Sequence, residues 1–415
     1  MVTRSPAVIV LIYQSYRDPL FQNLMLEYLR TIVKSQGVHF HLITFEQSHY
    51  ALTNHELRRE KALLKKEGIT WFPQSYRGGK FIVIKKVIEI INVVMLVGKL
   101  KYRYGVKLIF SFANIAASIG IFCSRLFSIP MLVYCYEPHS DYLVELGIWK
   151  RSSLKYRVSK FIEMYAGENA DYVLASTKYV VDLLYSIEAK GKVIRAPVSV
   201  NENSFSFKPE GREKVRSKYN VRDKRVLLYL GKFGYLYYNE EIPQLCRTLC
   251  DHIENMFFLI VTSNEKSRIQ EMFRDVGLPS DSYAITGNLS YDEVKDYISA
   301  ADIGLSGVPP TPAQKYRSPT KVAEYLLCGL PYITCKGISE DDVYAMKNNV
   351  GVVLKSFNRE DIMENIVNIN VLLSEEKKSL RNRCRKVGIE YRGMTNVDKL
   401  LAKVFNEVLH PSKVS

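Results

Sequence analysis

Apolar residues along this chain fall into short unbroken runs, and between the runs they recur at helical spacing. Residues 7–13, A-V-I-V-L-I-Y, make a run of strand length with no polar interruption. A strand apolar on both faces belongs in the middle of a parallel sheet covered by helices on both sides. The turn Q-S-Y-R-D-P-L then opens a helix expected over 20–36. A strand at 38–44, a helix at 51–66 and a short strand at 69–72 follow. Residues 80–104 predict one long helix with a wide apolar face, read as an internal crossover helix. Lys85, Lys86, Lys99, Lys101 and Arg103 give it a basic rim suited to membrane headgroups. Further strands are expected at 108–112, 131–136, 172–175 and 192–194, with helices at 113–127, 155–168 and 177–187 between them.

From 196 to 222 the pattern lapses into Pro, Asn, Ser and charge. A second cycle opens at 226–230 and continues with strands at 256–262, 283–285, 303–306, 332–334 and 350–354, before a helical, basic tail at 359–410. Strands alternating with helices in this way specify an α/β chain built from two Rossmann-like parallel-sheet domains. The expected division is a first domain at 1–200, a linker at 201–222 and a second domain at 223–394. A last helix at about 395–410 is expected to pack back on the first domain. Two such domains are expected to face each other across a cleft, with ligands at the carboxyl ends of the strands. No glycine-rich phosphate fingerprint follows the first strand, which disfavours a dinucleotide-dependent dehydrogenase.

Composition narrows this picture only in part. Hydrophobic residues at 47% and charged residues at 24% are ordinary for a globular chain and exclude disorder. The net charge of +15 is uneven: residues 1–200 hold 27 Lys and Arg against 15 Asp and Glu. A basic first half points to an anionic partner such as a phosphorylated substrate or an anionic membrane surface. Nucleic acid is disfavoured, since no aromatic-interleaved basic strand or RNA motif accompanies the charge. The seven cysteines show no metal-finger spacing and mostly sit in apolar runs, so free buried thiols in a reducing cytoplasm are expected. No signal peptide is visible, because the first residues pass directly into a strand. Residues 108–124 carry no charge, but Ser111, Asn114, Ser118 and Gly120 break the run into strand and helix rather than a membrane span.

The most informative stretch is K-Y-R-S-P-T-K-V-A-E-Y-L-L-C-G-L at 315–330. Ser318-Pro319 is a helix-entry signal in which serine is expected to cap the first amides, and Gly329 before Leu330-Pro331 ends the helix. Lys321 and Glu324 are three residues apart and share a face. Such a helix can receive a phosphate at its start and offer a carboxylate one turn in, suited to the paired hydroxyls of a ribose. The plainer reading is an amphipathic helix with a good cap and a surface glutamate.

The second half resembles the GT-B glycosyltransferases of the large retaining family often called family 4. The motifs are S-P-T-K-V-A-E-Y-L-L-C-G-L-P-Y-I at 318–333, K-G-I-S-E-D-D at 336–342, N-N-V-G-V-V-L at 348–354, A-A-D-I-G-L-S at 300–306 and L-L-Y-L-G-K-F-G at 227–234. In the first half, Y-E-P-H-S-D-Y-L-V-E-L-G-I-W at 136–149 is similar to a segment of members that build bacterial surface polysaccharides. The resemblance implies a cytoplasmic transferase, peripherally attached to the membrane, that moves a sugar from a UDP- or GDP-sugar to a lipid-linked or polysaccharide acceptor. It implies that Glu324 grips the donor ribose and that Ser318, Thr320 and the helix start face the phosphates. Gly231-Lys232 matches the turn whose cation neutralises the leaving diphosphate, with Lys321 and Arg317 as further cations. Thr286-Gly287-Asn288 matches the nucleobase loop, Gly337 a second anion-facing turn, and His139 with Glu137 the border of the reacting sugar. Two positions depart from the pattern: Tyr316 stands where many relatives have a glutamate, and Tyr237 where many have a lysine. With no D-x-D motif, no metal or other cofactor is expected. The alternatives are an epimerase of the same architecture and a catalytically inactive copy serving as a partner protein.

Overall fold

The computed structural model describes residues 5–79 and 81–409, the side chains of 82 and 83 excepted. The chain divides into one unit of Met1–Pro197 with Val397–Ser415, and a second of Val198–Asn396.

The first unit is built on seven strands: β1 (Ala7–Ile12), β2 (His39–Glu46), β3 (Ile69–Ser75), β4 (Leu108–Phe112), β5 (Met131–Tyr134), β6 (Tyr172–Ala175) and β7 (Lys192–Arg195). They pair in parallel in the order 3-2-1-4-5-6-7. β1 lies inside the sheet, between β2 and β4, with every residue buried, as its unbroken apolar run requires. Its helices are α1 (Leu26–Gln36), α2 (Asn54–Lys66), α3 (Ile82–Tyr104), α4 (Ala113–Phe127), α5 (His139–Glu145), α6 (Leu154–Asn169) and α7 (Lys178–Ser186). The uncharged stretch at 108–124 resolves into β4 and α4. No helix among the described residues is long and apolar enough to cross a membrane.

Helix α3 departs from its reading as an internal crossover helix. Its inner row, Glu89, Val93, Val97 and Leu100, is buried, but Ile84, Val87, Ile88, Ile91 and Met95 are exposed. Part of its basic rim is turned inward as well. Lys86 Nζ reaches the buried Glu89 at 2.9 Å and the Tyr13 hydroxyl at 2.7 Å, and Lys101 Nζ donates to the Phe127 carbonyl at 2.8 Å. A buried carboxylate needs a cation, so Glu89 draws Lys86 off the surface.

The second unit holds β8 (Arg225–Leu230), β9 (Met256–Val261), β10 (Tyr283–Thr286), β11 (Ile303–Leu305), β12 (Tyr332–Cys335) and β13 (Gly351–Leu354), parallel in the order 10-9-8-11-12-13. Around them lie α8 (Pro209–Lys218), α9 (Glu241–His252), α10 (Lys266–Asp275), α11 (Tyr291–Ala300), α12 (Thr320–Leu327), α13 (Asp341–Asn348), α14 (Arg359–Ser374) and α15 (Lys377–Arg392). The stretch 201–222, read as a linker, contains α8 and belongs to this unit. Besides the buried Phe205 and Val215, charge anchors it. Arg212 and Arg216 bracket the buried Asp302 at 2.9 and 3.2 Å, and Asp302 also accepts the Val226 N–H at 2.9 Å. Burial pushes the Asp302 carboxyl up, but the two guanidiniums and the amide more than reverse this and hold it below the usual range. A hydrophobic pattern carries no trace of such an anchor.

The last helix, α16 (Met394–Leu409), belongs from Val397 onward with the first unit. Phe405 there meets Phe40 and Phe110 edge-on, and Glu407 pairs with Lys192 at 2.8 Å.

Candidate functional site

In the second unit every strand points the same way, so the segments that follow β8, β9, β10 and β11 emerge at one edge of the sheet. After β8 the chain turns at Gly231, whose N–H donates to the Val261 carbonyl at 3.0 Å. A Cβ here would lie 2.9 Å from the Tyr229 hydroxyl oxygen, so any larger residue would push the buried Tyr229 ring aside. The Tyr229 hydroxyl donates to the Lys232 carbonyl, while the Lys232 side chain is exposed. Asn264 fixes the next residue: its Oδ1 accepts the Phe233 N–H and the Thr262 hydroxyl, each at 3.0 Å, and its Nδ2 donates to the Phe233 carbonyl at 3.3 Å. Asn264 escaped the sequence reading. The only signal was an asparagine just past a strand end, common in any turn.

α12 follows β11 and so begins at the same edge. Its entry differs from the expectation. Pro319 is the N-cap and no side chain caps the helix; the Ser318 hydroxyl oxygen instead accepts the Val198 N–H at 3.3 Å. Arg392, fully buried and paired with Asp341 at 2.8 Å, donates to the Pro319 carbonyl at 2.6 Å. Ser318-Pro319 is thus held by Val198 and Arg392, and the first turn at Thr320 is left without a side-chain cap. Gly329, at φ +76°, ends the segment as expected.

One turn in, Glu324 is only 8% exposed, and its two oxygens accept from Lys321 Nζ at 3.1 and 2.8 Å. Lys321 is thus paired with the carboxylate, with 39% of its side chain still exposed. Arg317 donates to Gln314 Oε1 at 3.2 Å and its guanidinium lies 5.8 Å from the Tyr237 ring. Gln314, almost wholly buried, donates to the Leu236 carbonyl at 3.0 Å, and the Tyr238 N–H donates to the Gly307 carbonyl at 3.0 Å. These bonds tie the segment after β8 to the segment before α12.

At the end of β10, the Thr286 carbonyl accepts the Thr262 N–H at 3.1 Å, and Gly287 and Asn288 are exposed. Gly337 does not offer the anion-facing amide expected of it, because its N–H already donates to Asp342 Oδ2 at 2.8 Å. Asp341 and Asp342 sit buried in the first turn of α13, where Asp341 pairs with Arg392 and Asp342 holds this turn.

The first unit places Glu137 and His139 after β5. The Glu137 N–H donates to Asn114 Oδ1 at 2.9 Å, and its carboxylate accepts the Tyr142 hydroxyl at 3.3 Å. His139 opens α5, a helix too short to show a period in sequence, and its N–H donates to the Glu137 carbonyl at 2.8 Å. Burial lowers the pKa of its imidazole, favouring the neutral ring. The next residue is clamped from α6: Glu163 accepts the Ser140 N–H at 2.8 Å and the Ser140 hydroxyl at 2.5 Å. Burial raises the Glu163 carboxyl to about 7, against the opposing pull of those two bonds and of Lys160.

No family model matches the chain. A comparison with curated sequences also finds no match. Solved structures do match along the whole length. Sucrose-phosphate synthase from Thermosynechococcus elongatus superposes with a TM-score of 0.73 at 15% identity, covering 99% of this chain and 100% of that one. A glycosyltransferase from Rickettsia africae gives 0.71 at 16%, with 99% and 100% covered. HepE from Anabaena, solved with UDP-glucose, gives 0.68 at 13%, with 97% and 99% covered. At these identities the likeness establishes the fold, two parallel-sheet α/β domains in the GT-B class.

Proposed function

We propose that this protein is a retaining glycosyltransferase that moves a sugar from a UDP- or GDP-sugar to a lipid-linked or polysaccharide acceptor in surface polysaccharide synthesis. The observation that carries this is the edge of the second sheet. It brings a tight glycine turn with an exposed Lys232 to the same edge as a helix start with no side-chain cap, with a carboxylate one turn into that helix. That is the equipment a nucleoside diphosphate needs: acceptors for ribose hydroxyls, and amides with a cation for the phosphates. The likeness of fold to sugar transferases along the full chain supports the same reading.

In this reading Glu324 accepts hydrogen bonds from the ribose hydroxyls, and Lys321 keeps that carboxylate oriented. The amides around Thr320, with Lys232 and Arg317, stabilise the negative charge that grows on the leaving diphosphate, where fixed dipoles act most strongly. Ser318 positions the helix entry. Gly287 and Asn288 line the base. The leaving phosphate takes the acceptor proton, so no protein base is required, and neutral His139 bonds the donor sugar with Glu137 beside it. The basic first unit and a lipid-linked acceptor both favour work at the inner face of a membrane.

Incubation with UDP-, GDP-, CDP- and dTDP-sugars, read by mass spectrometry, tests the proposal, since slow donor hydrolysis needs no acceptor. Release of one nucleoside diphosphate is expected, reduced in His139→Ala with nucleotide binding intact. Failure of the folded protein to bind or hydrolyse any of them would overturn it.

A further inference from the structure

Right-handed crossovers put α3, α4 and α6 side by side on one face of the first sheet, and α4 packs against both neighbours. Their inward rows are buried. Their outward rows are large and apolar, and they are exposed. On α3 the row is Ile84, Ile88, Ile91 and Met95; on α6 it is Leu154, Val158, Phe161 and Tyr165, with the same spacing; α4 adds Ile115, Phe122 and Leu126 between them. Leu154 at 76%, Phe161 at 68% and Leu126 at 63% are more open than isolated surface apolar residues need explaining by, and three adjacent rows form a patch of the kind that marks a docking surface.

The charges on these helices identify what docks. The one acidic residue of α3 and α4, Glu89, is buried; of the two acids of α6, Glu163 is buried and Glu168, at the helix end, is paired with Lys190 at 2.7 Å. The exposed charges beside the rows are Lys99, Arg103, Arg125, Lys155 and Arg157. An apolar slab edged mostly with cations, its one half-exposed acid already paired with Lys190, is complementary to an anionic bilayer, whose headgroups meet the cations while its acyl region takes the apolar rows. We infer that the outer face of α3, α4 and α6 inserts shallowly into an anionic lipid leaflet. This rests on the membrane-side reading above and goes past it: the face is named, and apolar insertion rather than a basic rim supplies the attachment.

The full chain should sediment with vesicles of one-third phosphatidylglycerol in phosphatidylcholine. High salt should weaken that binding without abolishing it, because apolar insertion is not screened. Combining Phe122→Ser, Leu126→Ser and Phe161→Ser, all at exposed positions, should weaken vesicle binding at least about tenfold. Nucleotide binding should be unchanged, which separates this inference from the transferase reading. A single Phe161→Trp variant should be quenched by brominated lipid. The inference is overturned if the triple variant binds vesicles like the parent, if salt removes binding completely, or if the chain ignores vesicles and self-associates through this face.

Discussion

Two buried side chains of the first unit should shape its pH stability in opposite directions. Glu163 is raised from 4.5 to about 7, chiefly by burial. Below 4.5 the folded and unfolded chains both hold this proton. As pH rises from 4.5 to 7 the unfolded chain releases it first, so the stability present at low pH is lost through that window, by up to about 3 kcal/mol. His41 lies on β2 with neither ring nitrogen hydrogen-bonded, and burial, then His39, lower it from 6.5 to about 4. Above 6.5 both states are neutral. As pH falls from 6.5 to 4 the unfolded chain takes the proton first, and up to about 3 kcal/mol is lost. The two effects nearly cancel in the parent. Urea unfolding from pH 4 to 8 on the parent, Glu163→Gln, His41→Phe and the double variant separates them. Glu163→Gln should leave a stability that climbs with pH between 4 and 6.5, and His41→Phe one that drops between 4.5 and 7. A parent-minus-Glu163→Gln difference that is flat across 4.5–7 would refute the reasoning.

Asn264→Ala removes three hydrogen bonds around the Lys232 turn. It should cost about 1–3 kcal/mol in urea unfolding and slow donor hydrolysis, while the diphosphate still binds. Asp302→Asn leaves Arg212 and Arg216 facing each other without their shared carboxylate. The second unit should lose about 3–5 kcal/mol, read as a lower thermal midpoint, with α8 the first segment to become open to proteolysis.

The fold was legible in the sequence because buried parallel strands leave unbroken apolar runs, and β1, β8 and β9 are of that kind. Helix α8 was not, since ion pairs to Asp302 hold it and its own composition reads as a polar connection. The outer face of α3 was misjudged for a related reason: an apolar residue in sequence does not say which side faces solvent. At the candidate site, Glu324 and the helix around it could be read from spacing. The pairing of Glu324 with Lys321 follows from their i,i+3 spacing, but the other partners do not: that Val198 occupies Ser318 is a tertiary fact, and that Asp342 occupies the Gly337 amide depends on how a local turn closes. Asn264 and Glu163 act from other elements, so no local motif announces them.

The central claim is that Glu324 holds the ribose of a nucleoside diphosphate. Calorimetric titration of UDP and GDP into the parent and Glu324→Ala tests it directly, with circular dichroism to show that the variant is folded. Loss of hydrogen bonds to a charged group, worth ~1.5–3 kcal/mol, predicts affinity lower by roughly 10- to 150-fold for whichever diphosphate binds the parent. Equal affinity in a folded Glu324→Ala would contradict the account.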